Sequence, residues 1–310
     1  MGGQYARTMN LVRVSDEVQG ALSEGQPIVA LESTIIAHGL PRPDNLTAAK
    51  RFEDQIRVAG VTPATVAVLD GVPTVGLSDS QLERIANEDI AKASVRDLPI
   101  VMGKGISGAT TVASTASLAS LVGIRVFATG GLGGVHRGAD ESFDESADIS
   151  VLASTPITVV SAGVKSILDI SATLERLETL SVPVLGYRTN IFPAFWLSES
   201  DYPLDWRVDD ASEVAQIMHS RDALGYRHGI VVANPVPRDQ QWDPTTHDQM
   251  LEEALATATS EGIRGKDVTP FVLSYIVEHS RGESLAVNLD LVSHNIAVAT
   301  DIAKAWVALS

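Results

Sequence analysis

Short apolar runs rich in valine and isoleucine recur at residues 27–33, 65–69, 100–102, 124–129, 157–162, 182–187 and 229–234. Each is short enough for a strand and lacks polar alternation, the pattern of a strand covered on both faces. Amphipathic stretches lie between them. Residues 44–59 carry apolar positions at helical spacing and run into Gly60, and Ser78-Asp79-Ser80-Gln81 has the form of a capping box opening a second helix. Residues 109–121 and 166–180 fit two more helices. This alternation predicts an α/β fold: a three-layer α/β/α sandwich around a largely parallel, mixed central sheet.

Two stretches break the rhythm. Residues 192–208, with two tryptophans, and residues 235–247, dense in Pro, Gln and Asp, predict long loops over the core. From Asp248 onward the pattern is helical. With no repeat and no low-complexity linker, residues 9–310 are expected to form one domain.

Charge and composition narrow the chemistry. Thirty-nine acidic residues against 23 basic ones give a net charge of −16. Such a chain is a poor partner for nucleic acid, whose phosphates are bound by Lys and Arg. No apolar run reaches the ~18 residues of a membrane span, and the first residues lack an apolar signal segment, so a cytoplasmic protein is expected. The absence of cysteine rules out disulfides, thiolate nucleophiles and cysteine-held metals. A metal would have to sit on oxygen or imidazole.

Five segments carry candidate chemistry. Five glycines fall between residues 130 and 138, directly after a buried strand. Glycine lets backbone N–H groups turn toward an anion. The dinucleotide fingerprint fails in register, because His136 stands where its third glycine should be. Asp140, Asp144 and Asp148 follow at four-residue spacing. If helical, they stack carboxylates on one face, where solvent or a hard cation such as Mg²⁺ or Mn²⁺ must offset the repulsion. His136 could join that group.

Lys165 stands between a buried strand and the next helix. Burial and a neighbouring cation can lower a lysine from ~10.4 toward neutrality and make it a Schiff-base nucleophile. An ion pair with an acidic neighbour accounts for it equally well. Glu32, at the end of the first buried strand, is a similar anomaly: a proton donor with a raised pKa, or a salt-bridge partner. Residues 108–114, small and hydroxyl-bearing, open a helix whose free N–H groups suit a phosphate or simply a cap.

Taken together, these segments resemble the pseudouridine-5′-phosphate glycosidase family, also described as the indigoidine synthase A family. The resemblance runs from about Val14 to Ala305 and is carried by ALESTIIAHG, GATTVAST, VFATGGLGGVHRG, FDESAD, VVSAGVKSILD, VVANPVP, GKDVTPF and the region around Asn288. It implies reversible cleavage of the C–C glycosidic bond of pseudouridine 5′-phosphate to uracil and ribose 5-phosphate, aided by a divalent cation, usually Mn²⁺, in a homotrimer. Lys165 matches the Schiff-base lysine, Glu32 the proton donor and Asp144 the metal ligand. Lys92, Val112, Ser146, Ala147 and Asp148 match positions that hold the sugar phosphate, and Asn288 one that contacts uracil or the opened sugar.

The chain departs from the family pattern at residues 103–108, where the usual lysine two positions before the Gly-Ala pair is missing and Lys104 stands elsewhere. Residues 1–8 have no family counterpart and are expected to be disordered. Two other readings share parts of the pattern. An aldolase-like sugar-phosphate lyase would use the imine lysine but has no need of a metal at Asp144. A catalytically silent sugar-phosphate sensor has no need of Lys165, Glu32 and Asp144 together.

Overall fold

The computed structural model describes residues 11–264, 267–280 and 282–309; the extension over residues 1–8 lies outside them. In chain order the strands are β1 (Arg13–Val14), β2 (Ile28–Leu31), β3 (Thr62–Leu69), β4 (Val72–Val75), β5 (Ala91–Ala93), β6 (Gly108–Thr110), β7 (Val126–Ala128), β8 (Val135–His136), β9 (Thr158–Ser161), β10 (Leu168–Asp169), β11 (Val184–Tyr187), β12 (Trp206–Val208) and β13 (Ile230–Ala233). The large sheet runs β1-β4-β3-β2-β7-β9-β13-β11-β12, with β6 pairing β3 and β5. From β3 through β12 every neighbour along this path is parallel. The exceptions are β3 with β4 and β3 with β6, both antiparallel.

Every residue of β2, β7, β9 and β13 is buried, as uninterrupted apolar runs require of strands covered on both faces. Helices Asp44–Val58, Ala211–Ala223 and Glu283–Leu309 pack together as one covering layer. Helices Val112–Leu121 and Ala147–Leu152 pack as another. The α/β/α layering and the mostly parallel sheet are those read from the sequence. No helix among the described residues is long and apolar enough to cross a membrane.

Several boundaries differ from the expectation. Residues 100–102 form no strand but the middle of the Leu98–Lys104 helix, which has Pro99 in its first turn and ends on Gly105 at φ 63°. A three-residue apolar run cannot separate the two states. The proline at the start and glycine at the end were the better signals. The helices expected from 109 and 166 start later, at Val112 and Ile170, because β6 and β10 take up the preceding residues. The β3–β4 hairpin went unread although Asp70-Gly71 marks it: both residues have positive φ, 51° and 79°, as a tight two-residue hairpin turn requires.

Candidate active site

The chain leaves three adjacent parallel strands carrying polar side chains. Glu32 follows β2, Thr129 follows β7, and Lys165 stands four residues beyond β9. These ends open on a cavity of about 660 Å³, at the carboxyl edge where open α/β sheets receive their ligands. All nine residues that match the family's site positions line it: Glu32, Lys92, Val112, Asp144, Ser146, Ala147, Asp148, Lys165 and Asn288.

Lys165 is held by its backbone. Its N–H donates to Leu132 O at 3.1 Å and its carbonyl accepts from Leu168 N at 2.9 Å, while Leu132 N–H returns a bond to Gly163 O. The glycine loop and the lysine loop therefore run side by side. The glycines serve packing more than turning: of the five, only Gly138 has a positive φ. A Cβ on Gly131 would come within 2.6 Å of the Phe195 ring, and one on Gly133 within 2.7 Å of Asp148 Oδ2. Gly133 N–H donates to Asp148 Oδ2 and Ala113 N–H to Asp148 Oδ1, both at 2.8 Å. Asp148 thus ties the glycine loop to the start of the Val112–Leu121 helix, and both its oxygens are engaged by the protein itself.

The cavity combines two buried acids with two amines. Glu32 is 8% exposed and Asp148 5%. Burial pushes the Glu32 carboxyl up, the charge of Lys165 and a hydrogen bond from Thr129 pull it down, and Asp148 adds to the rise. The Thr129 hydroxyl donates a short bond to Glu32 Oε1. Two lysines, Lys92 and Lys165, share this cavity within a chain of net −16, and burial and the neighbouring Lys165 charge lower the Lys92 ammonium. There an anionic sugar phosphate finds local attraction.

The acidic segment does not form the continuous helix that would stack its carboxylates. Helix Ala139–Ser142 ends at Phe143, at φ 55°, and a new helix begins at Ala147. Asp140 and Asp144 therefore part company with Asp148. The break leaves Asp144 Oδ2 3.8 Å from His136 Nδ1, and burial holds that imidazole below its usual range. Glu145 turns to Arg176. No group of three metal-ligating side chains forms among the described residues. One carboxylate beside one imidazole suits a hard cation that keeps most of its coordination for water and substrate oxygens.

Other residues of the site escaped the sequence reading. Trp196 is fully buried, and its indole N–H donates to Asn288 Oδ1 at 2.7 Å. It packs edge-on against Trp242, with ring centroids 5.6 Å apart. Asn295 Nδ2 donates to the Thr129 carbonyl at 2.8 Å, and Asn234 Nδ2 to Asn295 Oδ1 at 2.9 Å. His38 also lines the cavity. Their partners lie far off in sequence, and the one local cue was tryptophan and asparagine in otherwise apolar surroundings.

Residues 17–305 match the family described as Indigoidine synthase A like protein. This chain belongs to that family. Its indigoidine synthase A-like relatives include a protein of Frankia alni, 61% identical over 95% of this chain and 82% of its own length. Another, of Saccharopolyspora erythraea, is 54% identical over 96% of this chain and 98% of its own length. Both bear the name pseudouridine-5′-phosphate glycosidase. Among solved structures, the prealnumycin C-glycosynthase AlnA in complex with ribulose 5-phosphate superposes with a TM-score of 0.89 at 37% identity, over 96% of this chain and 98% of its own. An indigoidine synthase A-like protein of Thermotoga maritima gives 0.85 at 35% identity, over 94% and 96%.

Proposed function

We propose that this chain is a pseudouridine-5′-phosphate glycosidase, cleaving the C–C bond between uracil and ribose 5-phosphate reversibly. One observation carries the reading: a buried carboxyl of raised pKa, Glu32, and an amine fixed by its loop, Lys165, face one cavity. The names of the relatives and the sugar-phosphate ligand of AlnA support it. A C-glycoside has no leaving heteroatom to protonate, so two carboxylates alone serve it poorly.

In this mechanism Glu32 gives its proton to the ribose ring oxygen and the C1′–O bond opens. The Lys165 amine, in its neutral form, adds at C1′. The nitrogen then releases a proton, the C1′–C5 bond breaks with its electron pair passing to uracil, which takes up that proton at C5, and C1′ is left doubly bonded to the Lys165 nitrogen. Water hydrolyses that imine to ribose 5-phosphate and restores the amine. Lys92 and the N-terminal amides at Val112 hold the phosphate, with Ser146 and Ala147 at its rim. Asp148 orients the glycine loop, and Asn288 meets the base or the opened sugar. Asp144, with His136 beside it, is the residue that would hold Mn²⁺, which when bound supplies positive charge for phosphate and water.

Residues 9–310 acting as one domain, in a cytoplasmic homotrimer, belong to the same proposal. The deciding experiment is uracil release from pseudouridine 5′-phosphate with and without EDTA, followed by borohydride treatment with ribose 5-phosphate. A ribosyl phosphate mass on the Lys165 peptide is expected. An unmodified peptide under turnover conditions would sink the imine mechanism.

A further inference from the structure

Glu32 borders two cavities. Behind the large one lies a pocket of about 20 Å³ against the Asp44–Val58 helix, with Glu32, Thr65 and Thr129 as its polar walls and side chains such as Leu31, Phe52 and Val292 as its apolar ones. A single water needs about 10–15 Å³ and two or more polar partners. The volume suffices for one water, and three residues with polar side chains border it.

Beyond Thr65 sits a carboxyl with no part in the mechanism above. Glu53 is 2% exposed, and its Oε1 accepts the Thr65 hydroxyl at 2.6 Å. Its Oε2 accepts Arg57 Nη2 at 3.1 Å, and Arg57 continues to Glu17 at the surface. Polar side chains thus run from Glu17 at the surface through Arg57 and Glu53 to Thr65, which borders the same small pocket as Glu32 and Thr129.

We propose that Glu53 exchanges protons with Glu32 through Thr65, one water in the small pocket, and Thr129. The inference rests on the acid role of Glu32 argued above. Once Glu32 has given its proton to the sugar, Oε1 takes the Thr129 hydroxyl proton and Thr129 takes one from the water. The water takes one from Thr65, whose hydroxyl turns from Glu53 toward the pocket as its oxygen accepts the proton Glu53 carries. One carboxylate charge moves from Glu32 to Glu53, where the Arg57 guanidinium faces it. In the synthetic direction the chain runs backward.

The groups facing Glu32 are Lys165, Thr129, Asp148 and Lys92. Those facing Glu53 are Thr65, Arg57 and Glu17. Burial raises both carboxyls above their ordinary range, the direction required of an acid that is to carry a proton. Glu53 and Thr65 act through Glu32 and are positioning residues.

The test compares Thr65→Val, Thr65→Ser and Glu53→Gln with wild type in uracil release across pH, with solvent deuterium isotope effects. Val and Gln are expected to lower kcat about tenfold with KM unchanged and an altered isotope effect, while Ser, which keeps the hydroxyl, restores turnover. A bracing role also favours Ser over Val, because Ser keeps the hydrogen bond to Glu53, but it leaves the solvent isotope effect of every variant at the wild-type value. An unchanged isotope effect, or equal kcat for Val and Ser, would overturn the proposal. Wild-type protein that releases no uracil would instead refute the glycosidase reading. In that event a high-resolution crystal structure decides the relay: a water bonded to Thr65, Thr129 and Glu32 upholds it, and a dry pocket overturns it.

Discussion

Replacing Trp196 by Phe removes one hydrogen-bond donor from a fully buried ring and leaves Asn288 Oδ1, otherwise bonded at 2.7 Å, without its partner. A buried acceptor left unpaired costs about 1–3 kcal/mol. The smaller ring also vacates space between Trp242 and Phe195, whose ring centroids lie 5.6 and 5.0 Å from Trp196, for a further ~1–2 kcal/mol. The expected loss is roughly 2–5 kcal/mol, read as a lowered urea midpoint by circular dichroism. Because Asn288 lines the cavity, its freed amide should also raise KM for pseudouridine 5′-phosphate. A double-mutant cycle with Asn288→Ala isolates the bond. Once Asn288 is gone, Trp196→Phe should cost about 1 kcal/mol less or better, and additivity within about 0.5 kcal/mol would refute the coupling.

Other outcomes follow from the same geometry. Burial raises the Glu32 carboxyl above 4.5, so its contribution to stability is complete below pH 4.5 and is lost as pH climbs through the folded value. Glu32→Gln should abolish uracil release and flatten that part of the stability curve, leaving only the share of Glu53. Equal pH slopes in variant and wild type would remove Glu32 from this role. Gly133→Ala sets a methyl group into Ser146 Oγ and Asp148 Oδ2; misplacing the loop should cost turnover about a hundredfold, checked by kcat. Asp144→Asn should weaken Mn²⁺ binding about tenfold or more in an electron paramagnetic resonance titration, and an unchanged affinity would take Asp144 out of the metal site.

What the sequence could not disclose shares a physical cause. Lys165 and Glu32 were visible because each is a charge next to a buried run, an anomaly that needs no partner to be noticed; Asp144 stood out only within a run of acids, and the family resemblance singled it out. The stacked-acid expectation failed because four-residue spacing assumes an unbroken helix, and Phe143 at φ 55° breaks it. The glycine loop was located correctly, yet its reason was misread: the missing side chains make room for Phe195, Ser146, Asp148 and Thr173, none of which is adjacent to it in sequence. Trp196 and Asn288 stand 92 residues apart, and nothing local to either announces the other. The same holds for the small pocket between Thr65 and Thr129, which exists only once β2, β3 and β7 stand together.

The last helix, Glu283–Leu309, closes the site it has no charged part in. Asn288, Leu291 and Val292 wall the cavity, and Asn295 pins the helix to the carbonyl of Thr129. Were this wall drawn back, Glu32 and Lys165 would face open water, and the burial that raises the Glu32 carboxyl would be relieved. The acid strength of a residue at a strand end is thus set in part by the seating of a helix more than 250 positions away in the chain.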